Sequence, residues 1–416
     1  MTGGRRGIIA SHPTGNPNVR QAVRALAEAR LLLSFETAIA VFDGSPLGHF
    51  SRLPGFSELQ RRRYGRELKP FTQMHPWREA ARLASTRLGF QAAIRDWKGF
   101  ACIDAVYHSI GRRAARRLEK NGADGVYCYE DGALETFRSA KRLGITRIYD
   151  LPIGYWRAAR RILSEETERR PEWAVTIGGL RDSDEKLDRK DAELRLAQII
   201  IVASSFTART LEECPFPVAA VSMVPYGADD VARGKRPHPG GHSGKLRILF
   251  VGSLSQRKGI ADLFEAVSVV GPGIELTLIG RKTGPECPAL DRKLAQHRWI
   301  PSLPREKILA EMRTHDVLVF PSLFEGFGLV VTEALSQGLP VITTPHTCGP
   351  DVLTDGEDGY IVPIRDSKAI AEKLELLHRD RERLAAMSDA AHKKAEGLRW
   401  EDYRRRIVEV VSSVCI

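Results

Sequence analysis

Cysteine is scarce in this chain: six residues in 416, at positions 102, 128, 214, 287, 348 and 415, with no C-x-x-C pair. That argues against a zinc ribbon and against a disulfide scaffold, and it suits a reducing compartment. Long hydrophobic runs are missing as well. The longest clean one, Ile199-Ile-Ile-Val-Ala203, falls far short of the ~20 residues of a spanning helix. The opening Met-Thr-Gly-Gly-Arg-Arg-Gly-Ile-Ile-Ala has two arginines but almost no apolar stretch behind them, unlike an ordinary secretory signal. These shortages together predict a cytoplasmic protein.

What is present reads as globular. The chain is 43% hydrophobic and 28% charged, and at roughly 150 residues per domain it predicts two or three domains. The net charge is +11, from 63 Lys and Arg against 52 Asp and Glu, and it is unevenly spread. Residues 45–120 hold 16 basic and 6 acidic residues, interleaved with Phe50, Phe56, Tyr64, Phe71, Trp77, Phe90, Trp97, Phe100 and Tyr107. Arg61-Arg62-Arg63 and Arg112-Arg113 with Arg116-Arg117 are the densest clusters, the latter repeating at i, i+4 along one helix face. A solvated helical surface explains this, and so does a face that meets anionic lipid or an anionic acceptor. Nucleic acid is not an expected partner, because no nucleic-acid motif accompanies the charge.

Residues 232–245 pack Gly, Pro, Ser and basic residues together and predict a linker between a first domain, 1–231, and a second, 246–395. In the second domain apolar runs at 246–252, 274–280, 317–320 and 340–344 alternate with helical spacings at 260–270, 304–313 and 329–337. The first predicts strands at 7–10, 38–42, 125–129, 145–149, 199–202 and 219–222, with a helix over 19–33. This βαβ alternation implies parallel sheets covered on both faces, hence an α/β protein of two doubly wound, Rossmann-like domains facing across a cleft. The amphipathic stretch within 396–416 predicts a last helix.

Two strand–loop–helix junctions of the second domain carry chemistry. In Gly252-Ser-Leu-Ser-Gln-Arg-Lys-Gly259 a helix start coincides with Arg257 and Lys258, a natural seat for a pyrophosphate. It is neither a P-loop nor G-x-G-x-x-G. In Pro321-Ser-Leu-Phe-Glu-Gly-Phe-Gly-Leu-Val-Val-Thr-Glu333, Gly326 and Gly328 let the backbone approach a ligand, and Glu325 and Glu333 offer carboxylates to sugar hydroxyls. In the first domain, His12-Pro-Thr-Gly-Asn-Pro-Asn18 follows the first strand. Gly15 there could near the donor phosphate, and His12 and Asn16 the acceptor or sugar; turn and capping chemistry accounts for them equally. Glu130-Asp131 ends the 125–129 strand and could serve as base or acceptor partner, or cap a helix. Asp182-Ser-Asp184 has no apolar strand before it and reads as a polar helix entry rather than a metal-binding Asp-x-Asp. Trp156 and Trp173 could stack on a sugar, but read first as core packing.

Glu325 and Glu333 match the E-x7-E signature of the retaining nucleotide-sugar glycosyltransferases of family 4, the group 1 glycosyl transferases with the two-domain GT-B fold. Gly252 to Gly259, Val224-Pro-Tyr-Gly-Ala-Asp229, Ile199 to Ser205, Gly338-Leu-Pro-Val-Ile-Thr343 and Gly349 to Tyr360 are similar to that family too. The resemblance covers residues 185–375 and fades before 120. It implies that Lys258 and Arg257 hold the donor diphosphate, beside Gly252 and Ser253. It implies that backbone N–H groups of Gly326, Phe327, Gly328, Leu329 and Val330 bind the same group, that Glu325 faces the transferred sugar, and that Glu333 binds the ribose. Arg281, Trp299 and Ile300 would line the base pocket, and the last helix would cross back onto the first domain.

Two positions depart from the family pattern. Ser253 stands where an arginine is common, so Arg257 is expected to supply that charge. Ile148-Tyr-Asp-Leu-Pro152 lacks the usual sugar-contacting histidine. The resemblance implies an enzyme without cofactor that moves sugar from a nucleotide-diphosphate donor to an acceptor hydroxyl. Lys258, Arg257 and the two helix starts would serve in place of a metal. The basic aromatic stretch of residues 45–120 points to a glycan or lipid-linked acceptor in envelope or surface glycan synthesis and to peripheral contact with anionic membrane. A GT-B epimerase or phosphorylase is the alternative, as is an inactive GT-B scaffold binding membrane or nucleic acid.

Overall fold

The computed structural model describes residues 7–42, 44–45, 48, 59, 62–180, 182–228, 231–232 and 244–415. Most of the expected linker, together with Phe50, Phe56, Arg61, Arg181 and Asp229, lies outside the described residues.

Two parallel sheets organise the chain. The strands of the first lobe are β1 (Ile8–Ser11), β2 (Leu32–Thr37), β3 (Val41–Phe42), β4 (Arg63–Tyr64), β5 (Thr72–Met74), β6 (Gly125–Tyr129), β7 (Thr146–Leu151), β8 (Ile199–Val202) and β9 (Ala220–Met223). The second lobe carries β10 (Leu246–Val251), β11 (Ile274–Ile279), β12 (Arg298–Ile300), β13 (Val317–Phe320), β14 (Val341–Thr343) and β15 (Gly359–Ile361). The sheet orders are β5-β2-β1-β6-β7-β8-β9 and β12-β11-β10-β13-β14-β15, and β3 pairs with β4 apart from both. The second order is the doubly wound 3-2-1-4-5-6 arrangement, and the first repeats it with one strand more. This is the GT-B architecture of two Rossmann-like units. In each sheet the winding reverses between the first strand and its inner neighbour, β1/β6 and β10/β13. Ligands of such sheets sit in the crevice outside the carboxyl ends of the strands at that reversal.

One strand expectation needs correcting. The helix ends at Glu28 rather than running to 33, and β2 begins at Leu32. The apolar run Leu31-Leu32-Leu33 continues a helical spacing, but Arg30 takes a left-handed φ of 60° and stops the helix there. The main strand then falls on 32–37, and only Val41–Phe42 of the expected 38–42 strand pairs, with β4.

The lobes meet along a broad seam. Helix Trp156–Arg169 and the short helix Pro171–Thr176 leave the first sheet and lie on the second lobe. Trp173 stacks on Phe264 with ring centroids 6.0 Å apart, and Phe206 meets Phe324 edge-on at 5.4 Å. Gln256 donates to Glu166 (2.7 Å) and Asp262 (2.9 Å), Arg169 to Asp262 (2.6 Å), and Arg365 to Glu165 (2.9 Å) and Glu166 (2.8 Å). Glu166 and Asp262 are almost wholly buried, so each carboxylate needs these donors to offset its desolvation. At the other end, helix Trp400–Cys415 lies along helix Pro17–Glu28, where Tyr403 donates to Asn18 O (3.5 Å) and Arg404 to Gln21 (2.7 Å).

Candidate active site

All the candidate loops emerge at the carboxyl ends of strands beside the two reversals: His12–Asn16 after β1, Glu130–Asp131 after β6, Gly252–Lys258 after β10 and Pro321–Gly328 after β13. In the second lobe two of these loops are stitched together. Ser322 Oγ (3.2 Å) and Leu323 N (2.9 Å) both donate to Arg257 O. Gly259 has φ +68°, and a Cβ there would stand 2.0 Å from Pro321 O, so only glycine lets the loops close.

That closure brings three charged side chains to one point. Lys258 Nζ bonds Glu325 Oε1. Arg257 Nη1 donates to the same oxygen at 2.9 Å and to Phe324 O at 2.6 Å, and Ser322 Oγ donates to it at 3.3 Å. Lys258 Nζ also lies over the Phe320 ring, 4.9 Å from its centroid. Lys258 and Glu325 are 8% and 9% exposed, which makes this a desolvated cluster of two cations and one anion. Burial, reinforced by the Arg257 charge, pushes the Lys258 ammonium well below the usual lysine range. Burial alone lowers Arg257 to about 10. An anion arriving here would reverse both shifts. Arg257 spends one nitrogen on the Phe324 carbonyl and on Glu325, so its charge acts largely through the loop it braces. Ser253 lies at the same seam, in the wall of a cavity it shares with Arg257.

Gly326 is pinned from the opposite lobe. Ser204 Oγ (2.6 Å) and Thr207 Oγ1 (2.9 Å) donate to its carbonyl, and a Cβ would collide with Pro152 O at 1.8 Å. The Phe327 side chain is buried against Tyr226, with centroids 5.0 Å apart, so only its backbone is available to a ligand. Gly328 (φ +88°) opens helix Leu329–Ser336. Among the described residues, no protein acceptor takes the amide N–H of Gly326, Phe327, Gly328, Leu329 or Val330. A helix start with uncommitted N–H groups beside the buried Lys258 and the partly buried Arg257 is an electropositive seat suited to an anion.

Glu333 lies one turn into that helix, and its carboxylate pairs with Arg305 through Nε (2.9 Å) and Nη2 (2.8 Å). Burial raises its pKa, with Arg305 opposing. Burial also lowers Arg20 on helix Pro17–Glu28, with Tyr64 opposing and the Arg305 charge adding to the shift. Arg305 as the partner of Glu333 escaped the sequence reading, because 28 residues separate them. Gly252, Arg281, Trp299 and Ile300 gather at the ends of β10, β11 and β12. Gly280 N donates to Ile300 O (3.0 Å), Gly252 N to Ile279 O (3.0 Å) and Leu254 N to Arg281 O (2.9 Å). Trp299 Nε1 donates to Gly280 O (2.9 Å), Lys282 stands 4.8 Å over its ring, and the Arg281 side chain is exposed.

In the first lobe, Thr14 N donates to His12 Nδ1 (3.0 Å), and the ring is buried against Tyr129 (4.8 Å) and Tyr107 (5.6 Å). Burial lowers its pKa to about 4, so it is neutral at pH 7. Its burial leaves the exposed Asn16, at the start of helix Pro17–Glu28 without a side-chain cap bond, as the more accessible of the two. Gly15 fits against Tyr64, whose Oη would be 2.9 Å from a Cβ. Glu130 bonds Lys190 (3.1 Å), and Lys190 also approaches Asp131 (3.6 Å) and Asp182 (3.7 Å). Burial lifts Glu130 to about 7 against the pull of Lys190. Asp131 holds a left-handed φ of 69°, and Glu193 fixes that turn by accepting from Asp131 N (2.9 Å), Ala133 N (2.9 Å) and Leu134 N (3.0 Å). Ser183 caps helix Asp184–Leu196 by accepting from Lys186 N (3.3 Å), and Asp182 pairs with Lys186 (3.1 Å), in line with a polar helix entry. Trp173 is core; Trp156 is half-buried, with its indole N–H on Asp191 (2.7 Å).

The position lacking the histidine carries Asp150, buried at the end of β7. Burial raises it to about 7, and Tyr127 donates to it at 2.7 Å.

Residues 234–394 match the model of the family described as glycosyl transferases group 1. Among curated relatives, a phosphatidyl-myo-inositol mannosyltransferase of Mycobacterium leprae is 31% identical over 176 residues, 40% of this chain and 46% of that protein. The capsular polysaccharide biosynthesis glycosyltransferase CapM of Staphylococcus aureus is 29% identical over 170 residues, 37% of this chain and 44% of that one. The chain thus spans under half the length of these relatives. Among solved structures, sucrose-phosphate synthase of Thermosynechococcus elongatus aligns with TM-score 0.66 at 17% identity, over 98% of this chain and 99% of that one. HepE of Anabaena, solved with UDP and glucose, aligns with TM-score 0.63 at 13% identity over 98% and 100%. These likenesses establish the fold.

Proposed function

We propose that the protein is a retaining, family 4 glycosyltransferase that moves a sugar from a nucleotide-diphosphate donor to an acceptor hydroxyl. The observation that carries this reading is the meeting of Lys258, Arg257 and Glu325 beside the five uncommitted amides of Gly326 to Val330. In the reaction the bond from the sugar's anomeric carbon to the diphosphate oxygen breaks, and a bond to the acceptor oxygen forms. The acceptor's proton leaves with the diphosphate, whose new negative charge falls on Lys258 and the amides. Such fixed donors stabilise a leaving group in place of a divalent ion, so we read the enzyme as metal-independent. Glu325 holds Lys258 in place and faces the transferred sugar; Glu333, released from Arg305, takes the ribose.

UDP is the first nucleotide to try, since HepE was solved with it. The expected result is UDP binding and slow UDP-sugar hydrolysis in excess EDTA. No stabilisation by any nucleoside diphosphate in a thermal-shift panel would refute the reading.

The acceptor side of the proposal is a lipid-linked or surface glycan, made by a cytoplasmic enzyme that touches anionic membrane. Two relatives act in that chemistry by name, the phosphatidyl-myo-inositol mannosyltransferase and CapM. Within residues 74–103, Met74, Trp77, Leu88, Phe90, Trp97, Phe100 and Ile103 are all exposed, Trp77 to 84%. Arg87, Arg95 and Lys98 lie among them. Aromatics with arginines suit an anionic interface. No described helix is long and apolar enough to cross a membrane. Flotation with phosphatidylglycerol vesicles, lost in the double substitution Trp77→Ser and Phe90→Ser, is the expected outcome.

A further inference from the structure

Between the lobes lies a cavity of about 340 Å³ with an uneven charge on its wall. Arg160, Lys190 and Arg257 line it against a single acid, Asp182. Two of these cations are already committed: Lys190 to Glu130, Asp131 and Asp182, and Arg257 to Glu325. Arg160 is different. No carboxylate pairs with it among the described residues, and its guanidinium lies over the Trp156 ring, 5.1 Å from the centroid. That indole is itself anchored through its N–H to Asp191 (2.7 Å), which also pairs with Arg157 (3.0 Å). An exposed arginine held by a fixed aromatic surface keeps its planar fork ordered without spending its charge. Gly178 and Gly179 also line the cavity, and a Cβ at either would stand in open space with nothing within 4 Å. Arg257 links the cavity to the reaction centre, since it shares the Glu325 oxygen with Lys258.

We propose that this cavity is the acceptor pocket and that the acceptor carries an anionic group, a phosphate ester, which Arg160 grips. The proposal rests on the transferase reading and deepens it. Neutral glycans leave the Arg160 fork without a partner, whereas a phosphate accepts two of its N–H groups at once.

The test uses the full chain saturated with UDP and three probes in calorimetry: glucose, glucose 6-phosphate and dioctanoyl phosphatidylinositol. At least one phosphate probe is expected to bind about ten-fold or more tighter than glucose, the scale of a charge-assisted hydrogen bond. Which one binds distinguishes a soluble sugar phosphate from a lipid headgroup. Arg160→Ala should lose that margin and Arg160→Lys should restore only part of it. Gly178→Val should fill the cavity and abolish binding, while UDP affinity stays within about two-fold, since neither residue is placed on the donor. The proposal is overturned if neither phosphate probe outbinds glucose, if Arg160→Ala and Gly178→Val bind as wild type does, or if UDP displaces the phosphate probe. Absence of UDP binding to the wild type would instead sink the transferase reading, and the phosphate probes would still report on Arg160 in the unliganded chain.

Discussion

The two lobes place a glutamate–lysine pair at corresponding points of their sheets, and the pairs differ in the charge around them. Glu325 follows β13 and Glu130 follows β6, each strand being the inner neighbour across the winding reversal. Glu325 meets two cations, Lys258 and Arg257. Glu130 shares Lys190 with Asp131 and Asp182, and Lys186 serves the same two aspartates. The second lobe therefore offers two cations against one acid, with open amides, and the first offers three acids against two lysines at the corresponding strand end. On the transferase reading proposed above, a cleft polarised this way would seat the diphosphate on one wall and leave carboxylates on the other to orient a hydroxyl.

The sharpest way to break this comparison is to remove each lysine. Lys190→Ala leaves the buried Glu130 without its lysine, while Asp131 and Asp182 keep Lys186, and should cost about 3–5 kcal/mol of stability, read by denaturant unfolding. Lys258→Ala leaves only Glu325, which Arg257 still serves, so folding should suffer less. Its turnover should fall about 10²–10³-fold, the scale of losing a fixed donor to developing charge. If both variants lose mainly stability, the polarity has no functional meaning.

The pH dependence sharpens the same contrast. Asp150 (about 7) and Glu130 (about 7) have raised pKa values in the first lobe, from burial. Between their unfolded values near 4 and pH 7 the unfolded chain releases protons that the folded chain retains. Their contribution to stability is full below pH 4 and lost as the pH rises through 7. Asp150→Asn, which keeps an acceptor for Tyr127, should flatten this fall, so its melting temperature relative to wild type rises from pH 5 to pH 8. An unchanged difference across that range would contradict the buried-carboxyl account. A smaller effect is expected in the second lobe: Glu333→Gln should weaken nucleotide binding by about ten-fold and leave the melting temperature nearly unchanged, since glutamine keeps an acceptor for Arg305, whose side chain is about half exposed.

The lobes were unequally legible in the sequence, for a physical reason. In the second, apolar runs end in Gly252 and in the Gly326–Gly328 loop, and short strand–loop–helix units keep site residues close in sequence. The two doubly wound domains followed from those units, and the resemblance their motifs carry pointed to the GT-B fold and to Lys258 and Glu325 sharing one site. Side-chain partners did not. Arg305 reaches Glu333 from another helix, and the turn of Arg257 toward Phe324 O depends on a loop 67 residues away. The seam built from Glu166, Arg169, Gln256, Asp262 and Arg365 joins residues up to 199 apart. In the first lobe, continuous leucines hid the boundary at Arg30, and β5 has only three residues, too few for an alternation to show.

The most direct test of the polarised cleft is a UDP titration by calorimetry in EDTA, comparing wild type with Lys258→Ala. The account predicts metal-free binding that weakens about 10²-fold in the variant, with the fold intact by circular dichroism. Equal affinity in the two proteins, or binding that appears only on adding a divalent ion, would contradict it.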